Sequence, residues 1–141
     1  MPTDYRDAAD RHFDDANHLL TVKRPANADH IFGLAAECAL KAVMLGLGMQ
    51  MHTKKRDKPE DPYAVHINQL WGQFHTFAQG RNGAKYAAVI DPISNPFHDW
   101  DVNRRYCHRS DITNIMLQNH KNGAEKTKLV LSQAILDGVV S

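Results

Sequence analysis

The sequence predicts an all-α protein, an up-and-down bundle of four to five helices, and three observations carry that expectation. Apolar residues recur at steps of three and four in one segment after another, the period of a helix face. No segment shows the alternation of a half-buried strand, and no internal repeat is present. Capping side chains precede the periodic segments, and glycines or prolines follow them.

The first helix is expected from Asp4 to about Val22. Tyr5, Ala9, Phe13, Ala16 and Leu20 form its inner face, with Arg6, Asp7, Asp10, Arg11, Asp14 and Asp15 in water. Thr3 or Asp4 supplies the cap. Arg24-Pro25 closes the segment, because a residue before proline is pushed out of the helical region. The second helix should start near Asn27 or Asp29 and stop at Gly46 or Gly48. Its middle is apolar on nearly every side, which places it at the centre of the bundle.

The stretch MHTKKRDKPEDPY, Met51 to Tyr63, reads as a loop because of its two prolines and dense mixed charge. Ile67, Leu70, Trp71, Phe74 and Phe77 then give a clean stripe for a third helix ending at Gly80. A short helix from Gly83 to Ile90 follows. Asp91 to Pro96 can be neither helix nor central strand, since each proline removes a donor and fixes the chain. The last helix is expected from Ser110 or Asp111 to about Asp137. Its inward candidates are Ile112, Ile115, Met116, Leu129, Val130 and Ile135, and Gly123 is a place for a bend or break.

The chain has 141 residues, enough for one domain with one core, spanning residues 1–141. At 43% apolar and 23% charged residues, neither disorder nor a disulfide scaffold is indicated. A formal charge of +1 supplies no global field, so any nucleic-acid contact must come from a local patch. Cys38 and Cys107 lie far apart with no secretory signal before them, which fits a reducing, cytoplasmic setting. The apolar run Ile31 to Met49 is interrupted by Glu37 and Lys41, so it reads as a core helix rather than a membrane span.

Within GLAAECALKAVMLGLG, Gly33 to Gly48, the only two charges are Glu37 and Lys41. They stand about 40° apart on a helix that turns roughly 100° per residue, so they share a face. One reading is an ordinary pair at the bundle edge, with Lys41 extending to water along its stem. The other turns Glu37 inward to the arginines near residue 105, because a buried carboxylate needs a cationic or multiply donating partner.

An N-terminal helix ending ANHLL, the AAECALKA segment (Ala35 to Ala42), a histidine-led third helix and DVNRRY (Asp101 to Tyr106) before the last helix together resemble the HEPN superfamily. The name denotes higher eukaryote and prokaryote nucleotide-binding domains, and the likeness is to its small bacterial-type helical members. The resemblance covers most of the chain and rests chiefly on AAECALKA and DVNRRY. It implies a helical bundle, commonly a homodimer, that acts on RNA as a metal-independent ribonuclease or is a degenerate relative in toxin–antitoxin or defence systems. Other members bind nucleotides or pair with a nucleotidyltransferase or an antitoxin. No cofactor is implied.

In the family's ribonucleases an arginine precedes a histidine by four to six intervening residues at the start of the final helix, supported by a polar residue on the second. The resemblance therefore assigns catalysis to Arg104, Arg105 and His108 with Glu37 in support. Histidine titrates in the range a base for a 2′-hydroxyl needs, and the arginine fork binds two phosphate oxygens. The spacing departs from the pattern, because only Arg105, Tyr106 and Cys107 stand between Arg104 and His108. Arg6–His12, Arg11–His18 and Arg24–His30 keep it, but none precedes the last helix. Lys41, Trp100 and Tyr106 are the candidates for contact with the nucleotide, the aromatics by stacking on a base, although aromatics in such a stretch more often anchor the connection to the core.

His98, Asp99, Asp101, Cys107 and His108 include metal-ligating types but match no closed zinc spacing, so no metal is expected. Lys54, Lys55, Arg56 and Lys58 are largely cancelled by Asp57, Glu60 and Asp61 and read as a solvated loop. The other class of function compatible with the chain is a non-catalytic helical module for dimerisation or protein interaction.

Overall fold

Asp4 starts the first helix as a side-chain cap, its carboxylate accepting from the Asp7 N–H at 2.9 Å. In a computed structural model describing residues 1–141, the chain is all-helical and contains no strand. The helices are α1 (Tyr5–Thr21), α2 (Pro25–Gly46), α3 (Ile67–Gln79), α4 (Ala84–Ala87) and α5 (Asn114–Leu136). Two short 3-10 turns, Val102–Tyr106 and Arg109–Asp111, lie in the connection before α5. No helix is long and apolar enough to cross a membrane.

The second helix is the central element and packs against α1, α3 and α5. Phe32, Ala36, Leu40, Val43 and Met44 are buried on it, as its all-round apolar pattern requires. The predicted α3 stripe, Ile67, Leu70, Trp71, Phe74 and Phe77, is buried in full. Each of these large side chains contributes about 1.5–3 kcal/mol by leaving water. Phe97 and Trp100, from the proline-bounded connection, join the same core.

Several boundaries and roles differ from the sequence reading. Pro25 opens α2 at the first helical position, where its missing N–H costs nothing, so the helix begins before either expected cap. Asp29 is freed from capping and is buried inside the bundle. The last helix starts at Asn114 with Thr113 as its cap, because Ser110 and Asp111 are taken into a 3-10 turn. Ile115 and Leu129 face outward, 75% and 68% exposed, while Val130, Leu131 and Ala134 face the core. Gly123 does not break α5. It makes room, since a Cβ there would stand 2.6 Å from the Phe97 ring.

Gly33 has the same use on α2. A Cβ at that position would lie 2.1 Å from Trp100 Nε1, so only glycine lets the indole rest on the helix backbone. The residues 51–63 form an irregular loop pinned by Glu60, whose carboxylate accepts from the Gln50 N–H.

Candidate functional site

Two histidine clusters and one basic groove gather the side chains with chemistry, and α2 contributes to all three. The first cluster is built on Glu37. Its Oε2 accepts from Lys41 Nζ at 2.9 Å, and its Oε1 lies 3.0 Å from His66 Nδ1 at the start of α3. The side chains of Glu37 and Lys41 are 12% and 7% exposed, whereas the His66 ring is 49% exposed. Lys41 therefore pairs within the bundle and does not extend to water. Tyr5 covers the pair, with Lys41 Nζ 5.8 Å from its ring centroid.

Burial pushes the Glu37 carboxyl up, but the hydrogen bond from His66 and the charge and hydrogen bond of Lys41 outweigh it and leave it below its ordinary value. The bond to Glu37 raises His66, against the opposing effect of its partial burial. Burial and the neighbouring Cys38 and Glu37 push the Tyr5 hydroxyl to about 12, and burial beside Glu37 does the same to the Cys38 thiol.

The second cluster is built on a ring sealed from water. His120 on α5 is fully buried, with Nδ1 2.6 Å from Asp29 on α2 and Nε2 2.7 Å from Asp99 in the connection. Two carboxylates can only accept, so both ring nitrogens donate and the ring is an imidazolium. Burial lowers its pKa, and the hydrogen bonds and charges of Asp29 and Asp99 overcome that and raise it. Phe97 stacks on the ring with centroids 5.5 Å apart.

The groove lies at the beginning of α2. A depression of about 230 Å³ is lined by Lys23, Arg24, Pro25, Ala26, Asn27 and Arg109. It adjoins a second of about 270 Å³, which shares Ala26, Asn27 and Arg109 and adds His30, Arg104, Arg105 and Cys107. Five cationic side chains and no carboxylate line the two. None of the five is in an ion pair. The Ala26 and Asn27 N–H groups find no acceptor in the protein, and the first turn of α2 carries no acid. Helix dipole and side-chain charge thus add in one place.

Between the groove and Glu37 lies Trp100. It is 1% exposed, so its indole is a core contact and is closed to a stacking base. His30 stacks on it, with centroids 5.3 Å apart and planes 16° apart, and His66 leans over it at 6.2 Å and 59°. His30 Nδ1 is buried without a partner. Burial, then the charge of Arg105, lowers the pKa of His30, with Asp29 opposing and His66 assisting.

The residues assigned from the resemblance are thus distributed over different surroundings. Arg104 and Arg105 line the groove, and Tyr106 is 76% exposed with the Arg105 guanidinium 4.8 Å from its ring centroid. His108 is exposed and turned into a local motif, its Nδ1 accepting from the Ser110 N–H at 3.1 Å. Glu37, Arg105 and His108 share no hydrogen bond, because both Glu37 oxygens are taken by Lys41 and His66. Lys41 is enclosed and Trp100 is buried, which removes both from nucleotide contact. The His98-to-His108 span brings no three metal-ligating side chains together.

Sequence reasoning missed His30, Lys23, Arg24 and Arg109 as groove residues, although Arg24–His30 had the family's spacing in the wrong helix. A polar line along α2 at Asn27, His30, Glu37 and Lys41 was the available signal. The Asp29–His120–Asp99 cluster, spanning distant segments, had none. No family model, curated protein or solved structure matches the chain.

Proposed function

We propose that this is a HEPN-like protein that interacts with RNA or nucleotides by holding phosphate groups in the groove at the start of α2. One observation carries the reading: five unpaired cations surround free backbone N–H groups with no carboxylate among them. Such a surface is costly unless an anion occupies it, and the arginines supply planar forks for phosphate oxygens. Tyr106, exposed beside Arg105, offers an aromatic face to an unstacked base. The resemblance adds a toxin–antitoxin or defence setting, with a nucleotidyltransferase or antitoxin as the protein partner.

The test is binding of a labelled single-stranded RNA by fluorescence anisotropy across a salt series. Affinity should fall steeply with salt, and Arg104→Ala with Arg105→Ala should reduce the slope of log affinity against log salt by about one per phosphate contact removed. Binding that ignores both substitutions would overturn the assignment to this groove.

A second reading rests on α5. Ile115, Leu129 and Leu136 are 75%, 68% and 82% exposed, and their positions differ by multiples of seven, so they share one outward face. That face supports a homodimer, or a dimerisation module should the groove prove silent. Light scattering on the wild type and on Leu129→Glu decides it: a dimer that dissociates in the variant is the expected result, and a monomeric wild type refutes it.

A further inference from the structure

We propose that His120 is the positioning residue of the groove at the start of α2: by holding Asp29 and Asp99 at once it fixes the two walls of the groove against each other, and RNA phosphates are held firmly only while its ring carries both protons. The inference rests on the proposed phosphate contact and goes beyond it by assigning control of that contact to a buried ring outside the groove lining.

The two walls come from different segments. One is the beginning of α2, where Arg24, Asn27 and His30 face the groove and Asp29 stands between them in the chain. The other is the connection before α5, which supplies Arg104, Arg105, Cys107 and Arg109. From Phe97 to Ile112 the connection otherwise bonds only to itself and to Asn95. The hydrogen bond from His120 Nε2 to Asp99, at 2.7 Å, is the single one that leaves it. Through Nδ1 the same ring holds Asp29 at 2.6 Å. Asp99 directly precedes Trp100, which rests on the α2 backbone at Gly33 and against the His30 ring, and the turn that carries Arg104 and Arg105 starts at Val102. The clamp therefore stands at the root of the arginine wall.

The proton decides whether the clamp is closed. Two carboxylates are satisfied only by a ring with two N–H groups, so loss of one proton leaves one carboxylate facing a lone pair. Asp29, 2% exposed, has no water to turn to, whereas Asp99, 26% exposed, does. The remaining proton stays on Nδ1 with Asp29, and Asp99 lets go. The connection then keeps its apolar anchors, Phe97 and Trp100, and the arginine wall loses its fixed distance from the free N–H groups of α2. The charged groups that face the ring are Asp29 from α2 and Asp99 from the connection, while Phe97, stacked on it at 5.5 Å, carries no charge. Burial lowers the pKa of His120, and these two carboxylates outweigh it and raise the value.

Groove and proton are linked in both directions. Affinity for RNA is full below the folded pKa of His120 and falls as pH rises through it. Because binding free energies are reciprocal, RNA in the groove raises that pKa by the same factor. His30, which lines the groove itself, titrates on the other side of the ordinary histidine value. Burial and Arg105 lower it, with Asp29 opposing and His66 assisting, so its step falls at a lower pH. His66 is raised, by its bond to Glu37, but lines neither depression.

The experiment measures binding of a labelled single-stranded RNA by fluorescence anisotropy at fixed salt, from about pH 5 upward to the onset of unfolding. Histidine titration by NMR accompanies it, on the wild type with and without RNA and on Asp99→Asn. The expected result is a loss of affinity of about fivefold or more across the His120 midpoint. RNA should raise that midpoint to match, by about 0.7 of a pH unit for a fivefold change. In Asp99→Asn the His120 midpoint should fall, and the step in affinity should fall with it. A cluster that serves stability alone would lower the thermal midpoint of the variant and give no step that follows His120. Should Asp99→Asn not fold, the shift that RNA causes in the wild type decides the matter. RNA that binds, and binds less well with Arg104→Ala and Arg105→Ala, but with no step at the His120 midpoint and no shift of it, overturns the clamp and leaves the groove standing. So does a ring that stays protonated throughout. RNA bound at no pH overturns both.

Discussion

The two histidine clusters built on α2 use the same parts and have opposite access to water. Asp29–His120–Asp99 has a ring with no exposure and both nitrogens occupied by carboxylates. Glu37–Lys41–His66 has a ring half in water, one nitrogen fixed and one free. The difference separates a ring tied at both nitrogens from a ring tied at one. An imidazolium donating at both nitrogens has no lone pair to offer, and its two hydrogen bonds tie α2, α5 and the connection together. A histidine oriented by one carboxylate keeps its second nitrogen free of a protein partner.

If that contrast is right, the largest effect of any single change falls on the His120 cluster. His120→Ala leaves the buried Asp29 carboxylate without its partner and facing the half-buried Asp99, and should cost about 3–5 kcal/mol, the range for removing one member of a buried charged network. Urea unfolding measures it, and a loss under about 1 kcal/mol would mean that water reaches the site and the tie is illusory. The pH dependence has a definite sign. Because the folded pKa of His120 is raised, its stabilisation is complete below the ordinary histidine value and is lost as pH rises through the folded value. The gap between wild type and His120→Leu should therefore narrow as pH rises above about 6.5.

Gly33→Ala comes next, because it strikes the shared floor of the open cluster and the groove. The indole of Trp100 must move away from α2 to admit a methyl group, and it carries both His30 and His66 with it. A cost of about 1–3 kcal/mol is expected from overpacking. An unchanged midpoint would show that the connection gives way freely, and the fixed spacing of the two rings would fail with it.

How much of this was legible depended on sequence distance. Helices α1 and α3 were readable because their inner faces are written in consecutive turns, and Asp4 caps by a bond to Asp7 within the same turn. The Glu37–Lys41 pair was visible for the same reason. Its third member, His66, was not, since it arrives from another helix. Asp29 read as a cap because a carboxylate near a helix start normally is one, and only the tertiary fold shows His120 taking it. Ile115 and Leu129 were misplaced because α5 is apolar on two sides, and periodicity alone does not say which side meets the core. In the connection before α5, the bulky Trp100 was recognisable as either anchor or platform, and Gly33, a residue of another helix, settles it as an anchor.

Glu37→Gln should have a smaller effect than either change above on stability and a clear one on titration. The amide still accepts from one neighbour, but buried Lys41 loses its counter-charge, a loss of about 1–2 kcal/mol. The folded pKa of His66 is raised by this carboxylate, so the stability it confers is present below the ordinary histidine value and fades as pH rises through the folded one. In the glutamine variant that fading should be absent, and NMR titration of His66 checks the point directly.

The smallest stability effect belongs to the groove. Arg104, Arg105 and Arg109 make no ion pair and touch the core little, so replacing Arg105 by alanine should change stability by no more than about 0.5 kcal/mol. Removal of a repelling cation could even stabilise the bare protein slightly, because nothing within the fold balances the five charges. The same substitution should weaken RNA binding and reduce its salt dependence. A residue that matters little for folding and strongly for an anion is held for the anion, whereas a large stability loss on Arg105→Ala would mark the arginine as a structural strut and return the groove to the fold.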